Sequence, residues 1–273
     1  MNWTPWIESL VIVIALGACE KAEKGASTPA VADSVTLGYR VLDVGATRTN
    51  VFTMDMDAKM SAQGKQLTMT SSQRKKDTIE VLGTSAEAVT KAKVSYLQLD
   101  KKQVMMGQEK VEPSPIVGKT YIVEAKDGTI VVTTEAGDPV PSAEADAVRD
   151  EDDDFGEPDK MAKVLAGRTF RRDQMVEIPP ENLAGLFGDE KEGKLVRFAL
   201  TFTGTRGTLA QFAAAADLEL GRGAVSIKIA LAGTAVIDPA NGELNEIAME
   251  GPMTFTGQVT GSGTMRASGS SAK

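Results

Sequence analysis

The sequence predicts a mainly β (α+β) protein in which two antiparallel β-meanders, each a half-sheet or half-barrel, are joined by a short helical connector. Alternating apolar and polar residues fill both halves of the chain, and turn signals such as Asp127-Gly128 and Asn241-Gly242 separate these stretches. The pattern is interrupted between residues 141 and 190. With 273 residues, of which 42% are hydrophobic and 25% charged, the chain is long enough to bury a sizeable core.

The chain opens with a short apolar run that ends at its one cysteine. Residues 10–18 are all apolar, but a helix needs roughly 20 residues to cross a bilayer, so the run is typical of a signal peptide. The closing motif, Leu16-Gly17-Ala18-Cys19, resembles the lipobox of bacterial lipoproteins, although the residues before it include Glu8 and no Lys or Arg. The resemblance implies a signal peptide over residues 1–18 and an acylated Cys19, with chains such as palmitate as the membrane anchor.

A lipobox also implies localisation to the bacterial cell envelope. An Asp after the cysteine retains lipoproteins of the enteric type at the inner membrane, so Glu20 favours the outer membrane. The alternative, that Cys19 is a buried thiol, fits poorly with the charged residues 20–25 that follow it. Residues 19–36 show no helix or strand period and predict a flexible tether.

The first meander is predicted over residues 37–140. Its strictest alternation places Phe52, Met54, Met56, Ala58 and Met60 on one face, with polar residues between them. This is the pattern of an antiparallel strand lying on a core. Turns are predicted at Gln63-Gly64 and at Asp127-Gly128, the second between strands over 120–125 and 129–134.

The connector is predicted over residues 141–190, with helices over 142–148 and 157–166 and a third beginning at Pro179-Pro180. An acidic run, Asp150-Glu151-Asp152-Asp153-Asp154, follows the first helix and is interpreted as a solvated charged segment.

The second meander is predicted over residues 191–262. Its first strand places Phe198, Leu200 and Phe202 on one face. The Gly- and Ser-rich residues 263–273 are expected to form a disordered tail.

The layout resembles that of uncharacterised β-rich envelope lipoproteins with paired half-sheets. The resemblance depends on residues 115–121, the 158–167 helix, Ile178-Pro179-Pro180 and residues 238–242. It implies export and a β-rich body, and it implies no activity.

Composition excludes several classes of function. A net charge of −8 does not favour binding to the negatively charged backbone of nucleic acid. The absence of histidine removes the commonest general base and the commonest metal ligand, and a single cysteine excludes an intramolecular disulfide. We therefore predict no catalytic residue, no metal site and no cofactor.

Three motifs could contradict this conclusion, and each departs from its pattern. Residues 188–194 spell Gly-x4-Gly-Lys, but Leu195 stands where a phosphate-binding loop has Ser or Thr. The acidic run matches the first EF-hand ligand positions but has Phe155 in place of the glycine and Met161 in place of the final acid. The many methionines of the first half are typical of core residues, and a thioether copper site is the remote alternative.

The sequence thus predicts a membrane-anchored envelope lipoprotein with a non-catalytic binding or structural role. Its partners are the membrane, through the lipid anchor, and either an apolar small molecule or an envelope protein. The alternatives are a protein-interaction scaffold at the outer membrane and a carboxylate-dependent hydrolase. The predicted ligand-binding residues are Phe52, Met54, Met56, Met60, Phe198, Leu200 and Phe202.

Overall fold

The computed structural model describes residues 32–183, 193–222 and 224–273. Cys19, the signal peptide and most of the tether lie outside these residues. The described strands are β1 (Ser34–Thr36), β2 (Thr47–Ala62), β3 (Lys65–Thr84), β4 (Val89–Met105), β5 (Gln108–Glu112), β6 (Thr120–Lys126), β7 (Thr129–Thr133), β8 (Thr169–Arg171), β9 (Met175–Ile178), β10 (Gly193–Arg206), β11 (Leu209–Arg222), β12 (Val225–Ile237), β13 (Leu244–Gly257) and β14 (Val259–Ala272). The helices are α1 (Ser142–Glu151) and α2 (Lys160–Leu165), and a 3-10 turn follows at Pro180–Leu183.

The protein is mainly β, as predicted, and nearly all of its strands belong to one antiparallel sheet. The strand order is β7-β6-β4-β3-β2-β14-β13-β12-β11-β10-β9, and β5 pairs with β4 beside β6. Strands β1 and β8 form a separate two-stranded sheet. Successive strands are neighbours within each half, which is the meander connectivity that short turns produce.

The two halves meet along β2 and β14, which pair over their full lengths from Ala62 with Val259 to Thr49 with Ala272. The prediction of a disordered tail over residues 263–273 is therefore wrong, because residues 263–272 belong to β14. This strand pairs with β2 on one side and β13 on the other, so both rows of its backbone hydrogen-bonding groups have partners. Its inward residues Met265 and Ala267 are buried.

The predicted turns are present. Gln63 and Gly64 have φ of 51° and 76°, and Asp127 and Gly128 have φ of 51° and 74°. Positive φ at both central residues is the type I′ geometry that matches the twist of the flanking strands.

The predicted helical connector over residues 141–190 contains strands as well as helices. Helices α1 and α2 are present, and the Asp159 carboxylate accepts a hydrogen bond from the Ala162 N–H at the start of α2. Two strands, β8 and β9, follow them. These strands are too short to show a period, and they exist because β8 pairs with β1 and β9 pairs with the edge of β10. The third predicted helix appears as the 3-10 turn, and residues 184–190 lie outside the described part.

Two apolar clusters form the core. The larger one lies on one face of the sheet, from β3 through β14 to β9, and we call this the inner face. Phe212 contacts Phe170 and Phe202 in this cluster, with ring centroids 5.2 and 5.7 Å apart. The smaller cluster lies where α1 covers β4, β6 and β7, with Ala145 and Val148 buried against them.

Candidate functional site on the inner face of the sheet

The structure brings the predicted ligand-binding residues of both halves to the inner face. Phe52, Met54 and Met60 of β2 are buried in the larger cluster, and Met56 packs against it while partly exposed. The predicted residues of β10 are buried in the same cluster: Phe198, Leu200 and Phe202. Because apolar side chains at alternate positions of neighbouring strands share a face, the two sets belong to one continuous surface.

The methionines extend this surface across four strands. Met56 of β2 lies directly opposite Met265 of β14, and Met69 of β3 lies opposite Met105 of β4. Thioether side chains are flexible and polarizable, so they adapt to ligands of irregular shape.

The inner face is partly exposed at one end of the sheet. Here lie the β2–β3 hairpin, the end of β4, the start of β10 and the connection between β11 and β12. We call the partly exposed apolar residues of this end the apolar rim. Its members are Leu67, Met105, Leu195, Leu220 and Ile227.

A charged cluster occupies the same face beside α1. Lys101 Nζ lies 2.8 Å from Glu151 Oε1, and Lys75 Nζ lies 3.5 Å from Glu151 Oε2 and 3.5 Å from Asp152 Oδ1. Lys75 also donates to the Glu151 carbonyl oxygen at 3.1 Å, and the Tyr96 hydroxyl donates to the Asp152 carboxylate. The two lysines thus attach the C-terminal end of α1 to β3 and β4.

Asp77 is the third acid of the charged cluster and is buried, with 3% of its surface exposed. Burial raises its pKa from the usual 3.8 to about 6, although Lys75 and a hydrogen bond of 2.9 Å from Asn50 Nδ2 both act in the opposite direction. Burial by itself would lower the pKa of Lys75, but Asp152, Asp77 and Glu151 raise it above its usual value. Lys75 is therefore charged throughout the physiological range.

The acidic run is not fully solvated, which corrects the interpretation made from the sequence. Glu151 is 3% exposed, and Asp152 is engaged by Lys75 and Tyr96. The available signal was the alternation within β3, which from Met69 onward places Lys75 on the inner face. Lys75 and Glu151 lie 76 residues apart in the chain, so no local sequence pattern could have predicted their contact.

The described residues do not form a metal centre. Within residues 32–183, 193–222 and 224–273, no group of three or more acidic side chains is arranged to hold a metal ion.

In those same ranges, none of the helices combines the length and apolar character needed to cross a membrane.

Comparison with known proteins adds no relative. No protein-family model matches the chain, and no curated protein matches it. DynF, from the dynemicin biosynthesis pathway of Micromonospora chersina, is 9% identical over 96% of this chain and 94% of its own, with a TM-score of 0.19. An outer membrane channel from Pseudomonas putida F1 is 10% identical over 85% of this chain and 97% of its own, with a TM-score of 0.20. Scores this low identify neither a shared fold nor a function.

Proposed function

We propose that this chain is a lipid-anchored protein of the bacterial cell envelope that binds an apolar ligand on the inner face of its sheet and catalyses no reaction. The lipobox ending in Cys19 supports the anchor, and Glu20 after it favours the outer membrane. Met56 of the predicted residues is partly exposed and would meet the ligand together with the apolar rim, above the buried residues of β2 and β10.

The apolar rim is the observation that carries this proposal. Leu67, Leu220 and Ile227 belong to the inner face and are continuous with buried residues, yet remain partly exposed. Exposed apolar surface costs roughly 25 cal/mol per Å² relative to burial, so exposed apolar residues that adjoin a buried apolar face favour a site for a ligand. An acyl chain lying along the rim would cover this surface and contact the partly exposed Met56.

The acids of the charged cluster support a non-catalytic role. A carboxylate-dependent hydrolase needs two acids open to substrate and water. Asp77 and Glu151 are each 3% exposed, and Asp152 is held by Lys75 and Tyr96. This arrangement fits a structural attachment for α1 better than a reaction site.

The proposal is tested by placing a charge on the rim. The full chain is immobilised through a C-terminal tag, and saturation binding of tritiated hexadecane is measured. Leu67→Lys should weaken binding at least about tenfold, because a charged group resists transfer into an apolar site. The control is Leu82→Lys on the same strand, where Leu82 is already 37% exposed and lies outside the rim. Equal binding by both variants and the unmodified chain would refute the rim as the entrance, and absence of hexadecane binding to the unmodified chain would refute the proposed function.

A further inference from the structure

The N-terminal part of the described chain lies alongside a segment rich in arginine. Residues 168–172 read Arg-Thr-Phe-Arg-Arg and run antiparallel to residues 33–37. Within these segments, β1 pairs with β8 and Ser34 lies opposite Arg171. Backbone hydrogen bonds of 2.8 and 3.1 Å join the two segments beyond the ends of the strands. We call Arg168, Arg171 and Arg172 the basic segment. It is fixed at the point where the chain leading from Cys19 reaches the folded domain.

The exposed face of the β1–β8 sheet combines a guanidinium group with hydroxyl groups. Phe170 is fully buried and packs against the Phe212 ring, so the alternation of the strand directs its neighbours Thr169 and Arg171 outward. Thr36 of the partner strand is also exposed, and its hydroxyl oxygen lies 2.7 Å from that of Thr169. Guanidinium and hydroxyl donors are groups that bind phosphate oxygens.

The basic segment carries charge that the protein does not neutralise. Arg168 and Arg171 form no ion pair with a carboxylate in the described parts of the chain, and Arg172 lies 3.8 Å from its neighbour Asp173. Each of the other arginines whose side chain is described has a carboxylate oxygen within 3.1 Å. The adjacent acids, Asp33 and Asp173, do not balance three arginines. In a chain with a net charge of −8, this surface is suited to an anionic partner.

The length of the chain before β1 identifies the partner that this surface meets. From Cys19 to Ser34 there are 15 residues, which span at most about 50 Å when fully extended. A domain attached through Cys19 therefore meets the lipid surface at high effective concentration. The face beside β1 reaches that surface with the least extension of the chain.

We propose that the exposed face of the β1–β8 sheet docks through the basic segment on anionic phospholipid headgroups of the membrane that holds Cys19. The inference rests on the lipid anchor of the proposed function and adds the orientation of the domain to it. Arginine binds phosphate through two parallel hydrogen bonds, and an anionic leaflet attracts each cation near its surface.

Docking through the basic segment leaves the apolar rim open. Arg172 bridges to Phe202 of β10, whereas Leu195 of the rim lies seven residues earlier on that strand. Seven residues of a strand span about 23 Å. An apolar ligand could therefore reach the rim while the basic segment contacts lipid.

The test measures which end of the domain lies at the lipid surface. The full chain, acylated at Cys19, is placed in vesicles of phosphatidylcholine alone or mixed with phosphatidylglycerol. Because acylation occupies the one native thiol, Gln174→Cys supplies a single site for a fluorescent label. Gln174 is exposed and lies two residues after Arg172. Spin-labelled headgroups should quench this label in the anionic vesicles and much less in the neutral ones.

Two controls accompany this measurement. A label at Gln258→Cys, in the β13–β14 turn beside the rim, should escape quenching in both vesicles. Replacing Arg171 and Arg172 together by Gln should lower the ratio of docked to undocked protein about 25-fold, about fivefold for each arginine. The matched control replaces Lys76 and Arg266, two exposed cations of β3 and β14, by Gln and should leave the ratio unchanged.

The outcomes separate this inference from the proposed function. Quenching at Gln174→Cys that requires both anionic lipid and the two arginines supports docking. Equal quenching in the two kinds of vesicle, equal quenching in the arginine and control variants, or stronger quenching at Gln258→Cys overturns it, while membrane attachment and hexadecane binding sustain the proposed function. Failure of the unmodified chain to float with vesicles overturns the lipid anchor and the inference together.

Discussion

Lys75 and Lys101 hold the end of α1 against β3 and β4 through carboxylates that are largely removed from solvent. Glu151 Oε2 is a fully buried atom without a hydrogen bond, and Lys75, 3.5 Å away, is the charge that compensates it. A buried pair of this kind adds little net stability when intact, but removing one partner leaves an uncompensated charge. The individual residues of the charged cluster are therefore far more sensitive to substitution than exposed ion pairs are.

Replacing Lys75 by Met should lower the free energy of unfolding by about 3–5 kcal/mol, because Glu151 and Asp152 then lose a compensating cation. The measurement is urea denaturation at neutral pH. Lys76→Met is the control, since Lys76 is the exposed neighbour on the same strand, and it should change stability by no more than about 0.5 kcal/mol. Equal effects of the two substitutions would contradict the role assigned to Lys75.

Asp77 should make stability depend on pH below neutrality. Its pKa in the folded protein, about 6, exceeds the usual 3.8, so the folded state binds the proton more tightly than the unfolded state. The resulting stabilisation is complete below about pH 4 and is lost as pH rises to about 6, with a total of about 3 kcal/mol. From pH 6 to 8 the same group changes stability by only about 0.4 kcal/mol, so stability should be nearly constant there.

The check is the unfolding free energy of the unmodified chain minus that of Asp77→Asn, followed from pH 4 to 8. Subtraction removes the contributions of other carboxylates. The difference should fall as pH rises and level off above about pH 6. A flat difference across the whole range would mean that Asp77 ionises normally.

At the scale of elements, β14 is the strand on which the sheet depends, because it joins the two meanders. Its glycines bring it close to β2. A Cβ added at Gly263 would lie 2.3 Å from the Asp57 carbonyl oxygen, and one added at Gly261 would lie 2.3 Å from that of Lys59. Glycine therefore serves here as the residue that permits close approach of two backbones.

Gly263→Ala should destabilise the protein by about 1–3 kcal/mol, since the added methyl group forces β14 away from β2. Gly221→Ala on β11 is the control, because a Cβ at Gly221 has no neighbour within 4 Å and alanine there restricts the unfolded chain. The melting temperature should fall for the first variant and stay the same or rise for the second. A similar melting temperature for both would show that β14 tolerates a side chain at this position.

At the scale of the whole molecule, one sheet replaces two separate half-sheets. The β2–β14 junction makes the inner face continuous from the methionines of the first meander to the phenylalanines of the second. A ligand bound there would therefore contact both halves of the chain. The prediction of a flexible tether over residues 19–36 is wrong at its end, because Ser34–Thr36 form β1 and pair with β8.

Cys19→Ser should release the protein from the membrane, because several acyl chains on one residue make anchoring stable where a single chain is marginal. Partition between detergent and aqueous phases measures this, with Ser27→Ala in the predicted tether as the control. The unmodified chain and the control should enter the detergent phase, and Cys19→Ser should not. Recovery of the unmodified chain as an unacylated protein in the aqueous phase would refute the lipobox interpretation.

The mainly β class and most of the strands were predictable because the apolar alternation of a strand and the residues of its turns are local properties of the chain. Phe52 to Met60 and Asp127-Gly128 are examples. The inward direction of Phe198, Leu200 and Phe202 followed from the same two-residue period.

The C-terminal strand and the burial of the acidic run were decided by tertiary structure alone, because both depend on residues that are distant in sequence. The Gly- and Ser-rich end of the chain forms a strand since β2, some 200 residues earlier, supplies half of its hydrogen bonds. Glu151 is buried since Lys75 and Lys101 lie opposite it, and a run of acids without such partners would be solvated. Ser71 and Gln73 are ordinary polar strand residues as far as the sequence shows. Only the assembled sheet shows that they are buried, at 8% and 7% exposure.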